Sequence, residues 1–246
     1  MSTELAKLTY HQANLAIKEK RPLIIPFGTQ EAHGPHLPMA TDSYCAECLA
    51  LEIAPLISGL VAPALHYGIT NSLFQYGTAS NFSKPVYHAF VQELISTYLH
   101  QGFNKIVLMN GHGGNTESLV ECARVLSVKF QALIIVVDWW EVTRPFLEKY
   151  YQGEGSHAGA EETAAILHFL PDLVHHSEQI EHEGTYRQPG YVPYPMDGTI
   201  IYGNDNTPSV PDLNEKKARE FMEDTIKVIS EKIRKTIFFY TQRGIK

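Results

Sequence analysis

Short unbroken apolar runs recur along the chain at Leu23 to Phe27, Leu60 to Leu65, Lys105 to Met109 and Leu133 to Val137. Runs of this length without polar alternation predict strands covered on both faces, where every successive side chain meets apolar packing. Between them, apolar residues recur at helical spacing over Tyr44 to Ile57, Pro85 to Gln101 and Thr116 to Val128, with Pro85 suited to a first turn. A further helix is predicted over Ala160 to Phe169 and a long amphipathic one over about Leu213 to Ile237. Strands alternating with helices specify an α/β layer sandwich with a largely parallel sheet. No linker divides the chain, so residues 1–246 read as one domain. One stretch breaks the pattern. Gly184 to Pro211 carries four tyrosines, five prolines and four glycines, which predicts a long irregular excursion of the kind that often serves a site or an interface.

Composition narrows the function more than the fold. With 44% hydrophobic and 19% charged residues, 246 residues suffice for a sizeable core. Twenty basic against 27 acidic residues give a net charge of −7, which argues against nucleic acid as the main partner. No apolar run reaches about 18 residues, and Met1 to Lys20 lacks the apolar stretch of a secretory signal. The expectation is a soluble cytoplasmic protein with no membrane partner. Cys45, Cys48 and Cys122 are too few for a disulfide framework. The C-x-x-C pair falls inside the helical stretch Ser43 to Ile57, so both thiols read as small packing residues on adjacent turns.

Three polar turns contain the chemistry. The first follows the first strand and reads PFGTQEAHGPHLPMATD, from Pro26 to Asp42. Glu31 and His33 are two residues apart, so in extended backbone both side chains point to the same side. Asp42 precedes a helical pattern and is either a ligand or an N-cap. The second turn, Asn110-Gly-His112-Gly-Gly-Asn115, follows the third strand, where ligands of parallel sheets collect. Its glycines, Gly113 among them, permit sharp turning and close approach to a bound species. A phosphate loop is the competing reading, but neither G-x-x-x-x-G-K-[ST] nor G-x-G-x-x-G is present. The third turn, Ser156-His157-Ala-Gly-Ala-Glu161-Glu162-Thr163, opens a helix, where carboxylates also complement the helix dipole. Three histidine-containing turns in one apolar chain favour a shared metal site. Imidazoles and carboxylates without thiolates suit zinc, manganese or iron. A carboxylate can bridge two such ions about 3.5 Å apart, an arrangement that activates water for hydrolysis.

The blocks PFGTQEAHGPHLPMATD, VLMNGHGGN and SHAGAEET resemble, in order, the signature blocks of the creatininase (creatinine amidohydrolase) family. The resemblance implies a three-layer α/β/α sandwich, two divalent metal ions per subunit, hydrolysis of a C–N bond, and a homo-hexamer. It places Glu31 and His112 on one ion, His33 on the other, Asp42 between them, and His157 as the proton-shuttling catalytic residue. Trp140 and Gly113 fall at substrate-binding positions. Two positions depart from creatininase proper. Gly114 stands where a glutamate ligand is found, which makes Glu162 a candidate replacement. Gln152 to Ser156 lacks the second of two tryptophans that clamp creatinine. Trp139 and Trp140 also suit a core or a subunit interface. The expected substrate is therefore a small amide, lactam or formamide other than creatinine. A deformylase, a peptide-processing hydrolase and a non-catalytic oligomeric metal-binding relative are the alternatives.

Overall fold

The computed structural model describes residues 2–71, 73, 77–152, 157–175 and 213–244. Its sheet has four parallel strands, β1 (Leu23–Phe27), β2 (Leu60–Val61), β3 (Lys105–Asn110) and β4 (Leu133–Asp138), in the order β2-β1-β3-β4. The helices are α1 (Tyr10–Lys18), α2 (Thr41–Leu56), α3 (Lys84–His100), α4 (Thr116–Phe130), α5 (Trp139–Tyr151), α6 (Ala160–Phe169) and α7 (Glu215–Gln242).

Period-two alternation divides each strand between two cores. Leu23, Ile25, Phe27, Ile106 and Leu108 pack under α1, α3 and α4. Ile24, Val107, Met109 and Val137 pack under α2, α5, α6 and α7. Each such fully buried aliphatic side chain contributes about 1.5–3 kcal/mol, so neither face can be left uncovered. The result is the three-layer α/β/α sandwich that the strand pattern and the resemblance imply.

Several elements differ from the sequence-based expectation. The second strand is only two residues long, because the chain then leaves the sheet edge and touches β1 again at a single bridge, Leu65 to Phe27. Helix α2 begins at Thr41 rather than Tyr44. Its N-cap is Ala40 with no side-chain bond, so Asp42 is not the cap but a residue of the first turn. The spacing of apolar residues predicts neither α1 nor α5. Thr9 and Gln12 form a reciprocal capping box that fixes the start of α1. Helix α5 contains Pro145 and a β-branched, aromatic first turn, and it holds by packing Trp139, Leu147 and Tyr151 into the core. The cysteines behave as read: Cys45 and Cys122 are buried, Cys48 partly so, and all three are free. The excursion at Gly184 to Pro211 lies outside the described residues. No helix among the described residues is long and apolar enough to cross a membrane.

Strand register brings Phe27, Asn110 and Asp138 abreast at the carboxyl end of the sheet. The first turn of α2 rests on this edge. A Cβ at Gly111 would collide with the Asp42 carbonyl, so only glycine lets the end of β3 come this close to α2.

Candidate metal centre

All three polar turns meet at this edge. Glu31 and His33 come from the loop after β1, Asp42 from the first turn of α2, His112 from the turn after β3, and His157 and Glu162 from the entrance to α6. Each imidazole is held by a backbone carbonyl on one nitrogen. His33 Nδ1 donates to the Glu31 carbonyl (3.0 Å), His112 Nε2 to the Ile69 carbonyl (2.8 Å) and His157 Nε2 to the Ala32 carbonyl (2.6 Å). A carbonyl can only accept, so these bonds fix the protonated nitrogen and turn the other one toward the carboxylates.

The facing atoms are close. His33 Nε2 lies 2.9 Å from Asp42 Oδ1 and 3.6 Å from Glu162 Oε2. His112 Nδ1 lies 2.8 Å from Asp42 Oδ2 and 3.3 Å from Glu31 Oε1, and His157 Nδ1 lies 3.5 Å from Glu31 Oε1. Three overlapping groups have donor atoms within 4.8 Å of one another: Glu31, Asp42 and His112; His33, Asp42 and Glu162; and Glu31, His33 and His157. Asp42 thus serves two groups with different oxygens.

This donor set fits metal ions. In neutral imidazoles the inward nitrogens carry no hydrogen, and the carboxylate oxygens opposite are acceptors too. Such atoms approach within 2.8 Å only around a positive charge, either a proton or a metal ion. Buried Glu31 Oε2 accepts no hydrogen bond among the described residues, and Asp42 Oδ2 faces His112 Nδ1. The electrostatics agree. Burial pushes His33 and His112 down, but Asp42 with Glu162, and Glu31 with Asp42, outweigh it and hold both histidines well above the ordinary value. Burial would raise the Asp42 carboxyl, yet the charges of His33 and His112 hold it well below its ordinary range. His157 goes the other way. Burial, then the charge of His33, keeps it below the ordinary histidine value despite the nearby carboxylates.

Gly114, the position without the family glutamate, has a local explanation. A Cβ there would collide with the Ile69 carbonyl and crowd His112 Nε2. Ile69 is also held on the other side of its Cα, where its N–H donates to Asn115 Oδ1 (3.2 Å), while Asn115 Nδ2 donates to the Gly28 carbonyl (3.1 Å). The space is therefore filled by the group that orients His112. Glu162 reaches the opposite side of the cluster, next to His33, and also accepts the Ala158 N–H at the helix entrance. Its helix-terminal and cluster-facing readings hold together. The turns are also tied to each other: His36 Nε2 bonds Thr163 Oγ1 at 3.0 Å, joining the first block to the third. Sequence reasoning assigned His36 no role and missed the carbonyls of Ala32 and Ile69, which no side-chain type announces.

His33, Asp42 and Glu31 form the buried floor. His157 and Glu162, each with 13% of the side chain exposed, lie nearest to solvent. Trp139 is fully buried in the core beneath α5, the structural one of the two readings. Trp140 is partly buried, and its Cζ2 lies 4.0 Å from where a Gly113 Cβ would stand, so the two expected substrate positions border one space. Residues 153–156, in the loop without the second tryptophan, lie outside the described residues.

A family model described as creatininase, creatinine amidohydrolase, matches residues 6–233. The chain belongs to the creatininase family. Its relatives include hydrolases acting on carbon–nitrogen bonds outside ordinary peptides. Over 231 residues the chain is 25% identical to the creatinine amidohydrolase of Pseudomonas putida, covering 86% of this chain and 88% of that one. Over 189 residues it is 28% identical to the 2-amino-5-formylamino-6-ribosylaminopyrimidin-4(3H)-one 5'-monophosphate deformylase of Methanosphaera stadtmanae, covering 74% and 76% of the two chains. A solved manganese form of creatininase shares the fold with a TM-score of 0.83 at 22% identity, over 96% of this chain and 99% of that one.

Proposed function

We propose that this creatininase-family protein is a dinuclear metal-dependent amidohydrolase that cleaves a C–N bond of a small amide, lactam or formamide. The observation that carries the reading is Asp42, which presents one oxygen to His33 and the other to His112, each imidazole already oriented by a carbonyl. Glu31 and His112 would hold one ion, His33 and Glu162 the other, and Asp42 both. Zinc or manganese suits this oxygen and nitrogen set. A pair of divalent ions supplies a lowered water pKa and a polarised substrate carbonyl.

The remaining needs of amide hydrolysis fall to the chain. The leaving nitrogen requires a proton, and His157 is placed to carry it. Its Nε2–H is committed to Ala32, so Nδ1 is the atom that accepts a proton from water and returns it to the leaving group. Burial favours the neutral form of this histidine, the form a base needs. Its position on the solvent side of the floor puts it between the cluster and an arriving substrate. Trp140 and the open backbone of Gly113 form a wall suited to a flat, small group.

A deformylase is the reading next in line, favoured by the match to the formylaminopyrimidine deformylase over three-quarters of that chain. One experiment separates these readings. Metal-loaded protein is assayed against creatinine, other lactams, N-formyl compounds, simple amides and short peptides, with metal content measured per chain. Turnover of a small amide with two ions bound is expected. Fewer than two ions at saturation overturns the dinuclear assignment, and turnover of peptides alone overturns the substrate class.

A further inference from the structure

A second polar circuit lies directly behind His112, outside the ligand groups. At the ends of β3 and β4, register pairs Asn110 with Asp138. Asn110 Nδ2 donates to Asp138 Oδ1 at 2.7 Å and to Thr116 Oγ1 at 3.1 Å, while the Thr116 hydroxyl donates to the same Asp138 oxygen at 3.1 Å. Asn110 Oδ1 accepts the His112 backbone N–H at 3.1 Å. Every donor and acceptor in this circuit has one consistent direction. A carboxylate has only lone pairs to offer, so Asp138 draws both the amide nitrogen of Asn110 and the Thr116 hydroxyl toward itself. That choice leaves the Asn110 carbonyl oxygen, rather than its NH2, facing His112.

Asp138 also stands at the N-cap of α5, where an aspartate ordinarily accepts from the helix amides. It accepts none there. Its side chain is turned instead to the neighbouring strand, away from the bond its position offers. Asn110 is fully buried, so a reversed amide would leave its NH2 against the His112 N–H with no water to relieve two opposed donors.

We infer that Asp138, with Thr116, is a positioning residue for the metal centre: it sets the orientation of the Asn110 amide, which fixes the backbone of His112. The inference rests on the reading of His112 as a metal ligand. Partners one step removed from a ligand, as Asn110 is from His112, characteristically change metal affinity about 10- to 100-fold when lost, and Asp138 acts through Asn110.

The polarity of the circuit supplies the test. Asp138→Asn places an amide against an amide, and Asn110→Asp places a carboxylate against a carboxylate. The double variant Asn110→Asp/Asp138→Asn exchanges the two partners: the amide now on β4 donates to the carboxylate now on β3, whose other oxygen still accepts the His112 N–H. Zinc titration of each full-length protein is expected to show affinity about 10- to 100-fold weaker in the single variants, and within a few-fold of wild type in the double. Hydrogen exchange of the His112 amide is measured on the same proteins without metal. Protection is expected to fall about tenfold in Asp138→Asn and to return in the double variant. Unchanged protection in Asp138→Asn, or a double variant as impaired as the singles, overturns the inference. If wild-type protein binds no zinc while the exchange pattern appears as expected, the circuit stands and the dinuclear reading falls.

Discussion

Histidine meets another potential metal ligand both at the carboxyl end of the sheet and at the seam between α3 and α4, and the first of these has the makings of a site. At the carboxyl end of the sheet, inward imidazole nitrogens meet carboxylates of Glu31, Asp42 and Glu162. At the seam between α3 and α4, Cys122 Sγ lies 3.7 Å from His88 Nδ1. At the seam the neighbouring carboxylate, Glu121, is already paired with Arg124 at 2.7 Å and calls for no further cation. Burial, with Glu121 adding, pushes the Cys122 thiol up to about 11, so it stays protonated and points to the His88 carbonyl. Residue type is shared by the two places. What differs is whether imidazole nitrogens converge on several buried carboxylate oxygens.

The comparison is broken most directly at Asp42. Asp42→Ala removes the carboxylate common to two ligand groups and leaves any two ions to repel each other unscreened. Metal content is expected to fall toward zero and turnover to background, whereas His33→Ala weakens one ion more than the other. Elemental analysis of both variants checks this, and full occupancy in Asp42→Ala would return the residue to a purely structural role.

His157→Ala tests whether the solvent side of the cluster does different work from its floor. Turnover is expected to drop about 10²- to 10⁴-fold with metal content near normal. Steady-state kinetics beside elemental analysis decide it. A metal-free variant would instead place His157 among the ligands.

Acidity sharpens the contrast further. In chelated protein the raised His33 and His112 values mean that the imidazolium form stabilises the fold fully below the ordinary 6.5. That stability is lost as pH rises through the elevated values. The depressed Asp42 value contributes stability above the ordinary 3.8, lost as pH falls through the lowered one. Bound ions would displace those imidazolium protons, so affinity is expected to rise with pH by up to about tenfold per unit for each ion, and about 100-fold for the pair, where both histidines are protonated. Melting curves with and without chelator should therefore diverge as pH rises, and parallel curves would contradict the shared cluster.

The smallest effect belongs to the seam. Cys122→Ala removes a buried packing atom and is expected to cost about 1 kcal/mol, with metal content and turnover unchanged. Thermal denaturation measures the first and elemental analysis the second. Loss of metal would mean that the seam is no mere packing contact.

The residues legible in the sequence were those whose side-chain type announces them. Ile24 and Val107, in unbroken apolar runs, predicted strands covered on both faces, and Glu31, His33 and His112 stood out as ligand types in polar turns. Illegible were contributions made by backbone. Ile69 and Ala32 act through carbonyl oxygens that every residue possesses, and their placement depends on where the chain crosses the sheet edge. Helix α5 was hidden because Pro145 and its aromatic first turn oppose local helix formation, while the packing that overrides them involves α7, distant in sequence. The start of α2 was misplaced for a related reason. Asp42 resembles a cap by type, and only its two histidine neighbours in space reveal its other engagement.

The order in which the cluster residues leave the ribosome carries a consequence of its own. Glu31, His33 and Asp42 emerge early, His112 much later, and Glu162 last, after all four strands have been made. An amino-terminal fragment ending before β3 would carry three of these side chains without the imidazole or the helix that complete either group. Capture at the Glu31, Asp42 and His112 group would await the turn after β3, and at the His33, Asp42 and Glu162 group the entrance to α6, and an ion so captured would stabilise the finished fold in proportion to the logarithm of its free concentration.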